Sequence, residues 1–163
     1  MSRLKGRVWV FGDNIDTDTI FPARVFTEPD HVKVKACMES IRPGWSSMVS
    51  PGDIIVAGSN FGTGSSRPAS LVLKMVGISA VVAESIFGVF LRNSINYGLP
   101  ALECPGVTSV FSEGDIGEVD LEGFIVRNLS RDQEVRCKPL PRIALEILES
   151  GGLINYLRNR GCI

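Results

Sequence analysis

The chain has 163 residues, of which 44% are hydrophobic and 21% charged, an ordinary balance for a globular protein. This length predicts one domain, residues 1–163, and the formal net charge of −1 argues against nucleic acid or an acidic membrane surface as a partner. No apolar run is long enough to cross a membrane, and the first residues lack the apolar core of a signal peptide, so we expect a cytoplasmic protein.

The cysteines are far apart in the sequence, at Cys37, Cys104, Cys137 and Cys162. In a reducing compartment disulfides are rare, so we expect free thiols. Their spacing also predicts no metal or iron–sulfur site built by this chain alone. The single histidine, His31, lies in a polar segment and is expected at the surface, so a Ser-His-Asp triad would have no other base.

The first predicted strand covers residues 6–12, which alternate and are rich in β-forming side chains. Residues 13–20 follow and contain three aspartates. A divalent-cation loop is one interpretation, but the glycine and distant glutamate of a calcium loop are missing. We favour a polar loop whose Asp and Thr side chains bind its own backbone, and leave an active-site scaffold open. A proline-bounded loop at residues 21–29 contains Arg24, a candidate anion-binding residue, and residues 32–40 predict a short helix.

A glycine-rich turn at residues 58–67 joins a predicted buried strand, 53–57, to a predicted helix, 68–76. Gly62 and Gly64 allow a positive φ, and Ser65 or Ser66 is a candidate N-cap. Free N–H groups at a helix start, together with Arg67, suit a carboxylate or phosphate. The alternative interpretation is a purely structural turn, which is what most such turns are. It is neither a dinucleotide fingerprint nor a P-loop, because Arg67 and Gly64 stand where those motifs need glycine and lysine.

The rest of the chain predicts a parallel three-stranded unit followed by an antiparallel region. Strand 78–83, helix 86–95 and strand 100–103 continue the alternation, which places the glycine-rich turn at the carboxyl edge of a parallel sheet. Further strands are predicted at 117–121, 124–127 and 134–137, and further helices at 142–149 and 153–160.

Four segments of this chain, in order, resemble the small subunits of the isopropylmalate isomerase and homoaconitase group. They are residues 12–24, 58–67, 83–100 and 151–157, and the run Gly64-Ser65-Ser66-Arg67 after Asn60-Phe61-Gly62 is the most specific. The resemblance implies an α/β fold, the three-layer β/β/α swivelling domain equivalent to the C-terminal domain of aconitase. It also implies a separate large subunit that holds a [4Fe-4S] cluster, with no metal ligand on this chain.

The resemblance implies a hydro-lyase subunit that acts on a small hydroxy acid. The first expectation is 3-isopropylmalate dehydratase, which serves leucine biosynthesis. The alternatives are a related dehydratase for another substituted malate or homoaconitate, and a non-catalytic anion-binding or structural subunit. We expect the chain to be active only with its large subunit, and leave open a homo-oligomer of the isolated chain.

The resemblance assigns roles residue by residue. Ser65 matches the base that abstracts the carbon-bound proton, Ser66 matches a residue that orients the substrate, and Arg67 matches a carboxylate ligand. Arg24 and Gly64 are further candidates for substrate binding.

The chain departs from the family at two places. The family run continues Glu-His after the arginine, whereas this chain has Pro68-Ala69. The predicted specificity loop, Val25, Phe26, Thr27 and Glu28, replaces a Tyr-Leu pair and lacks the arginine of homoaconitase-like members. Because Glu28 would repel a third carboxylate, the loop favours a malate with an alkyl group.

Overall fold

The protein is described here by a computed structural model of residues 3–163. The strands of this part of the chain are β1 (Arg3–Phe11), β2 (Ile54–Ala57), β3 (Ala80–Ala83), β4 (Ala101–Glu103), β5 (Ile116–Asp120), β6 (Ile125–Asn128) and β7 (Gln133–Arg136). The α-helices are α1 (Thr17–Ile20), α2 (Asp30–Ala36), α3 (Trp45–Met48), α4 (Ala69–Val76), α5 (Gly88–Asn96), α6 (Val107–Val110), α7 (Arg142–Glu149) and α8 (Leu153–Asn159). The strands form one mixed sheet in the order β4-β3-β2-β1-β5-β6-β7.

One half of the sheet is parallel and matches the predicted strand–helix alternation. Strands β2, β3 and β4 pair in parallel, and β1 adds a fourth parallel strand beside β2. Strands β2 and β3 are buried along their whole length, as expected of short apolar runs covered on both faces. The predicted parallel unit is therefore confirmed and extended by one strand.

The other half of the sheet is antiparallel and shares β1 with the parallel half. Residues Arg3 to Arg7 of β1 pair with β5, whereas Val8 to Phe11 pair with β2. The sheet curls so that its two edge strands, β4 and β7, approach each other. A hydrogen bond shows this contact: the N–H of Lys138, which follows β7, donates to the carbonyl of Glu103 in β4 at 2.8 Å. The long strand β1 thus connects the parallel and the antiparallel halves of the sheet, which form two layers.

Alternating side chains of the parallel strands enter two different cores. Ile55 and Ala57 pack on the helical side, in a core that includes Leu73 of α4. Ile54 and Val56 point the other way and pack against the antiparallel half of the sheet. Because successive side chains of a strand face opposite sides, one buried strand serves both cores. This arrangement confirms the predicted β/β/α layering.

The curl also corrects the prediction of free cysteines. Cys104, which follows β4, and Cys137, which follows β7, form a disulfide bond. The prediction was wrong for this pair because sequence spacing does not show that the two edges of the sheet meet. Cys37 and Cys162 are free; Cys37 is buried, and its burial strongly raises the pKa of its thiol.

Three one-turn helices, α1, α3 and α6, were not predicted, because one turn is too short to show an apolar period. Helix α2 begins at Asp30 and ends at Ala36, earlier at both ends than predicted. His31 is exposed, as predicted. Within residues 3–163, none of the helices has both the length and the apolar character that a membrane span requires.

Candidate active site

The glycine-rich segment 58–67 lies beyond the carboxyl end of β2, between the loops that follow β1 and β3. On one side the N–H of Gly62 donates to the carbonyl of Ile15 at 2.7 Å, and the N–H of Thr17 donates to Thr63 at 2.8 Å. On the other side the N–H of Phe61 donates to Ser85 at 3.0 Å. Backbone hydrogen bonds to both neighbouring loops therefore hold the segment, at the sheet edge where open α/β folds bind ligands.

The aspartates of residues 13–20 bind backbone N–H groups. Asp16 accepts from Thr19 at 2.8 Å and caps α1, and Asp13 accepts from Ser59 in the glycine-rich segment at 2.7 Å. This confirms the interpretation as a polar loop that binds its own backbone. The contact with Ser59 shows that the loop also supports the glycine-rich segment. Across residues 3–163, no group of three or more His, Cys, Asp or Glu side chains is arranged to hold a metal ion.

Two glycines of the segment have the positive φ that the sequence predicted, 82° at Gly62 and 111° at Gly64. A side chain at Gly62 would collide with the ring of Phe90 in α5. A Cβ atom at Gly64 would lie 2.9 Å from Oγ1 of Thr17. Glycine is therefore needed at both positions for backbone conformation and for close packing against neighbouring elements.

Ser65 is exposed, yet its backbone and hydroxyl both contact a buried threonine. The N–H of Ser65 donates to Oγ1 of Thr17 at 3.1 Å, and the two hydroxyl oxygens are 3.2 Å apart. The N–H of Arg67 also donates to Oγ of Ser65, at 3.3 Å. The hydroxyl of Ser65 thus has a defined position on an accessible surface.

Helix α4 begins after the serines, so the prediction that Ser65 or Ser66 is its N-cap was wrong. The N-cap is Pro68, with no side-chain capping bond. A proline disfavours helical backbone at the residue before it, here Arg67, so the helix cannot extend back to the serines. Ser66 is exposed, and its carbonyl accepts from the side-chain amide of Asn93 at 3.2 Å. Both serine hydroxyls are therefore left free of helix capping.

The guanidinium of Arg67 joins the glycine-rich segment to the loop after β1. It donates to a carboxylate oxygen of Asp18 at 3.1 Å and to the carbonyl of Phe21 at 2.8 Å. The pKa of Asp18 is lowered, chiefly by a hydrogen bond from the N–H of Ala23, and further by the positive charges of Arg67 and Arg24. Asp18 is therefore a carboxylate at neutral pH, placed between two arginines.

The predicted specificity loop directly follows Arg24, a residue that lines a cavity. Arg24 lies on a 3-10 turn, Ala23–Val25, and with Asp18 it lines a cavity of about 320 Å³. Phe26 is 51% exposed and stacks on Phe21 with ring centroids 5.6 Å apart. Thr27 and Glu28 are also exposed, whereas Val25 is buried in the core. The loop therefore presents the side chains of residues 26–28, and not that of Val25, to solvent.

Sequence reasoning missed three side chains that contact this site: Thr17, Asp18 and Asn93. The first two belong to a segment for which a scaffold role was left open without naming a residue. The repeated Asp and Thr before a turn of helix was the available signal for them. Asn93 lies in residues 83–100, one of the segments that carry the family resemblance, but the sequence analysis assigned it no role.

Comparison with known proteins places this chain in a family. The family model for the aconitase C-terminal domain matches residues 42–106. The isopropylmalate/citramalate isomerase small subunit of Methanocaldococcus jannaschii is 48% identical over 98% of this chain and 96% of its own length. The chain belongs to the family of 3-isopropylmalate dehydratase small subunits. The 3-isopropylmalate dehydratase small subunit 1 of Methanopyrus kandleri is 47% identical over 97% of this chain and 94% of that relative.

A solved structure supports the same family. The crystal structure of a 3-isopropylmalate dehydratase from Methanocaldococcus jannaschii matches with a TM-score of 0.90 and 38% identity, over 98% of this chain and 95% of that one. The resemblance seen in the sequence and the predicted fold are thus confirmed. As a member of this small-subunit family, the chain is part of a hydro-lyase, and the family name implies a larger partner subunit.

Proposed function

We propose that this small subunit belongs to a 3-isopropylmalate dehydratase, which interconverts 2- and 3-isopropylmalate by removing and re-adding water in leucine biosynthesis. The observation that carries the proposal is the arrangement of Ser65 and Arg67. An exposed serine hydroxyl, not used in helix capping, accepts from the backbone of an arginine whose side chain is already held in place.

The residues of this chain would bind the substrate and move its proton. Ser65 would take the carbon-bound proton, since its Oγ already accepts the N–H of Arg67, and such a donor stabilises negative charge on oxygen. Arg67 and Arg24 would bind carboxylates. Ser66 would orient the substrate, and Gly64, which has no side chain, would let the substrate approach the backbone.

We place the [4Fe-4S] cluster of this enzyme on the large subunit. Two cysteines of the described chain are paired with each other and Cys37 is buried in the core, which leaves Cys162 as the exposed thiol within residues 3–163. This set does not fit the thiolate ligation of such a cluster. We further propose that residues 1–163 act as one swivelling domain against that subunit, in the cytoplasm.

The test is reconstitution of the chain with its large subunit. We expect the isolated chain to bind no iron and to be inactive, and the complex to dehydrate isopropylmalate. Ser65→Ala should lower kcat on the order of 10²–10⁴-fold with the fold intact, because general base catalysis contributes about this much. Ser109→Ala is a matched control, because Ser109 is exposed and donates only to its own turn, at the carbonyl of Gly106.

Three results would contradict the proposal. Turnover and a bound cluster in the isolated chain would show that no large subunit is needed. A Ser65→Ala complex with the rate of the wild type would remove Ser65 from the mechanism. A complex that binds isopropylmalate without converting it would favour the non-catalytic alternative.

A further inference from the structure

A buried threonine touches the proposed base. Thr17 is the first residue of α1 and is 3% exposed. Its N–H donates to the carbonyl of Thr63 at 2.8 Å, and its carbonyl accepts from Phe21 at 2.7 Å, so its backbone is held on both sides. Its Oγ1 lies 3.2 Å from Oγ of Ser65. Thr17 is therefore a fixed hydroxyl in direct contact with the reacting oxygen.

The hydrogen-bonding capacity of Thr17 decides what this contact can do. A threonine hydroxyl has one proton and two lone pairs. One lone pair accepts the N–H of Ser65 at 3.1 Å, which leaves the proton of Thr17 free to point at Oγ of Ser65. The N–H of Arg67 already points there at 3.3 Å. A negatively charged Ser65 would thus receive two donors, one from a side chain and one from the backbone.

We propose that the hydroxyl of Thr17 donates a hydrogen bond that stabilises the deprotonated oxygen of Ser65 during proton abstraction. In that step the substrate C–H bond breaks and the Ser65 O–H bond forms. The electron pair left on that carbon forms the new carbon–carbon double bond. The C–O bond on the neighbouring carbon breaks, and the hydroxyl leaves with the electron pair of that bond. Thr17 keeps its proton throughout, so it is a positioning residue that acts through Ser65. The inference depends on the proposed function of Ser65.

The packing around Thr17 supports this role. Gly64 lies so close that a Cβ there would be 2.9 Å from Oγ1 of Thr17, so the absence of a side chain leaves room for the hydroxyl to reach Ser65. The charged groups next to the contact are Asp16 and Asp18, which flank Thr17 in the sequence, and the guanidinium of Arg67, which pairs with Asp18. Thr17 contributes an uncharged donor between these groups.

The experiment compares Thr17→Val and Thr17→Ser in the reconstituted complex with isopropylmalate. A hydrogen bond to a charged group contributes on the order of 10- to 100-fold, so Thr17→Val should lower kcat by about this factor with KM nearly unchanged. The acid limb of the profile of kcat/KM against pH should also move to higher pH, because a less stabilised oxyanion has a higher pKa. Thr17→Ser keeps the hydroxyl and should stay within about threefold of the wild type.

The controls separate this inference from the proposed function. Thr108 lies on α6, and its hydroxyl donates to the carboxylate of Glu84 at 2.9 Å. The variant Thr108→Val removes this hydroxyl and should behave as the wild type. If Thr17→Val cannot fold or assemble, Thr17→Ser and Thr17→Ala, which differ only in the hydroxyl, make the same comparison.

Three outcomes would overturn the inference. A wild-type rate and pH profile in Thr17→Val, with Ser65→Ala inactive, would dismiss Thr17 and leave the proposed function standing. Equal losses in the valine and serine variants, with no shift of the pH profile, would show that Thr17 only packs. An active Ser65→Ala complex would remove both the base and its donor.

Discussion

The guanidinium of Arg67 and the carboxylate of Asp18 lie 3.1 Å apart, although 49 residues separate them in the chain. The side chain of Arg67 is 19% exposed, whereas that of Asp18 is 67% exposed. The arginine is thus fixed beneath an accessible carboxylate, between the glycine-rich segment and the loop after β1. A carboxylate substrate would have to share or replace this partner in order to bind Arg67.

We expect Asp18→Asn to lower stability at neutral pH but not in acid. The pKa of Asp18 is lowered by the N–H of Ala23 and then by Arg67, so its folded value lies below its unfolded value. Its contribution is therefore present above the unfolded pKa, about 4, and is lost as the pH falls through the folded pKa. Thermal unfolding of the wild type and of Asp18→Asn between about pH 3 and pH 7 measures the difference in stability. Asp132→Asn, at an exposed turn, is the control, and a difference that persists in acid would contradict the prediction.

Arg67→Lys should raise KM about tenfold or more, because the planar fork of the guanidinium becomes a point charge. A lysine ammonium cannot reproduce the contact with both Asp18 and the carbonyl of Phe21 while it binds a substrate carboxylate. Steady-state kinetics of the reconstituted complex give the result, with Arg158→Lys on exposed α8 as the matched control. An unchanged KM would show that the substrate carboxylate binds elsewhere.

Gly62→Ala should destabilise the protein by about 2–4 kcal/mol, through a strained backbone and an overpacked core. Its φ is 82°, and an added Cβ would meet the ring of Phe90. Gly12→Ala is the matched control, because nothing lies within 4 Å of a Cβ there and its φ is not positive. Urea unfolding of the wild type, Gly62→Ala and Gly12→Ala tests the prediction. Equal stability of the two variants would mean that the Phe90 packing is not as described.

Loss of the bond between Cys104 and Cys137 should lower the free energy of unfolding by about 3–4 kcal/mol, given the loop it closes. The two cysteines are 33 residues apart in sequence. Urea unfolding with and without reductant measures the loss, and Cys162→Ala, at an exposed free thiol, should change nothing. Thiol titration of the unfolded, unreduced chain should find two thiols of the four cysteines. Four reactive thiols would show that the bond does not form.

We expect malates with alkyl groups to outcompete homocitrate. Phe26 presents an apolar surface beside Arg24, and Glu28 would repel a third carboxylate, whose burial without a partner costs far more than a methylene mismatch. Values of kcat/KM for isopropylmalate, dimethylmalate, citramalate and homocitrate measure the preference. Citramalate is included because one relative is named for both isopropylmalate and citramalate. Glu28→Gln should improve homocitrate relative to isopropylmalate, and a wild-type preference for homocitrate would refute our interpretation of the loop.

The parts of the fold that the sequence predicted depend on local patterns. The apolar runs of β2 and β3 lie within one element each, and α7, whose prediction followed from the proline before it, matches its predicted bounds. The parallel pairing followed from the order of strands and helices. By contrast, the N-cap of α4 was wrongly predicted at Ser65 or Ser66, because Pro68 prevents the helix from reaching the serines.

By itself the sequence determined the family, the layered α/β fold and the segment that carries Ser65 and Arg67, because these depend on residue order and on motifs within short stretches. The tertiary structure alone decided which distant groups meet: Thr17 with Ser65, Asp18 with Arg67, and Cys104 with Cys137. The physical reason is the sheet. β1 lies between β2 and β5, and the curl joins the edges β4 and β7, so contacts are set by neighbours in space that sequence separation does not reveal.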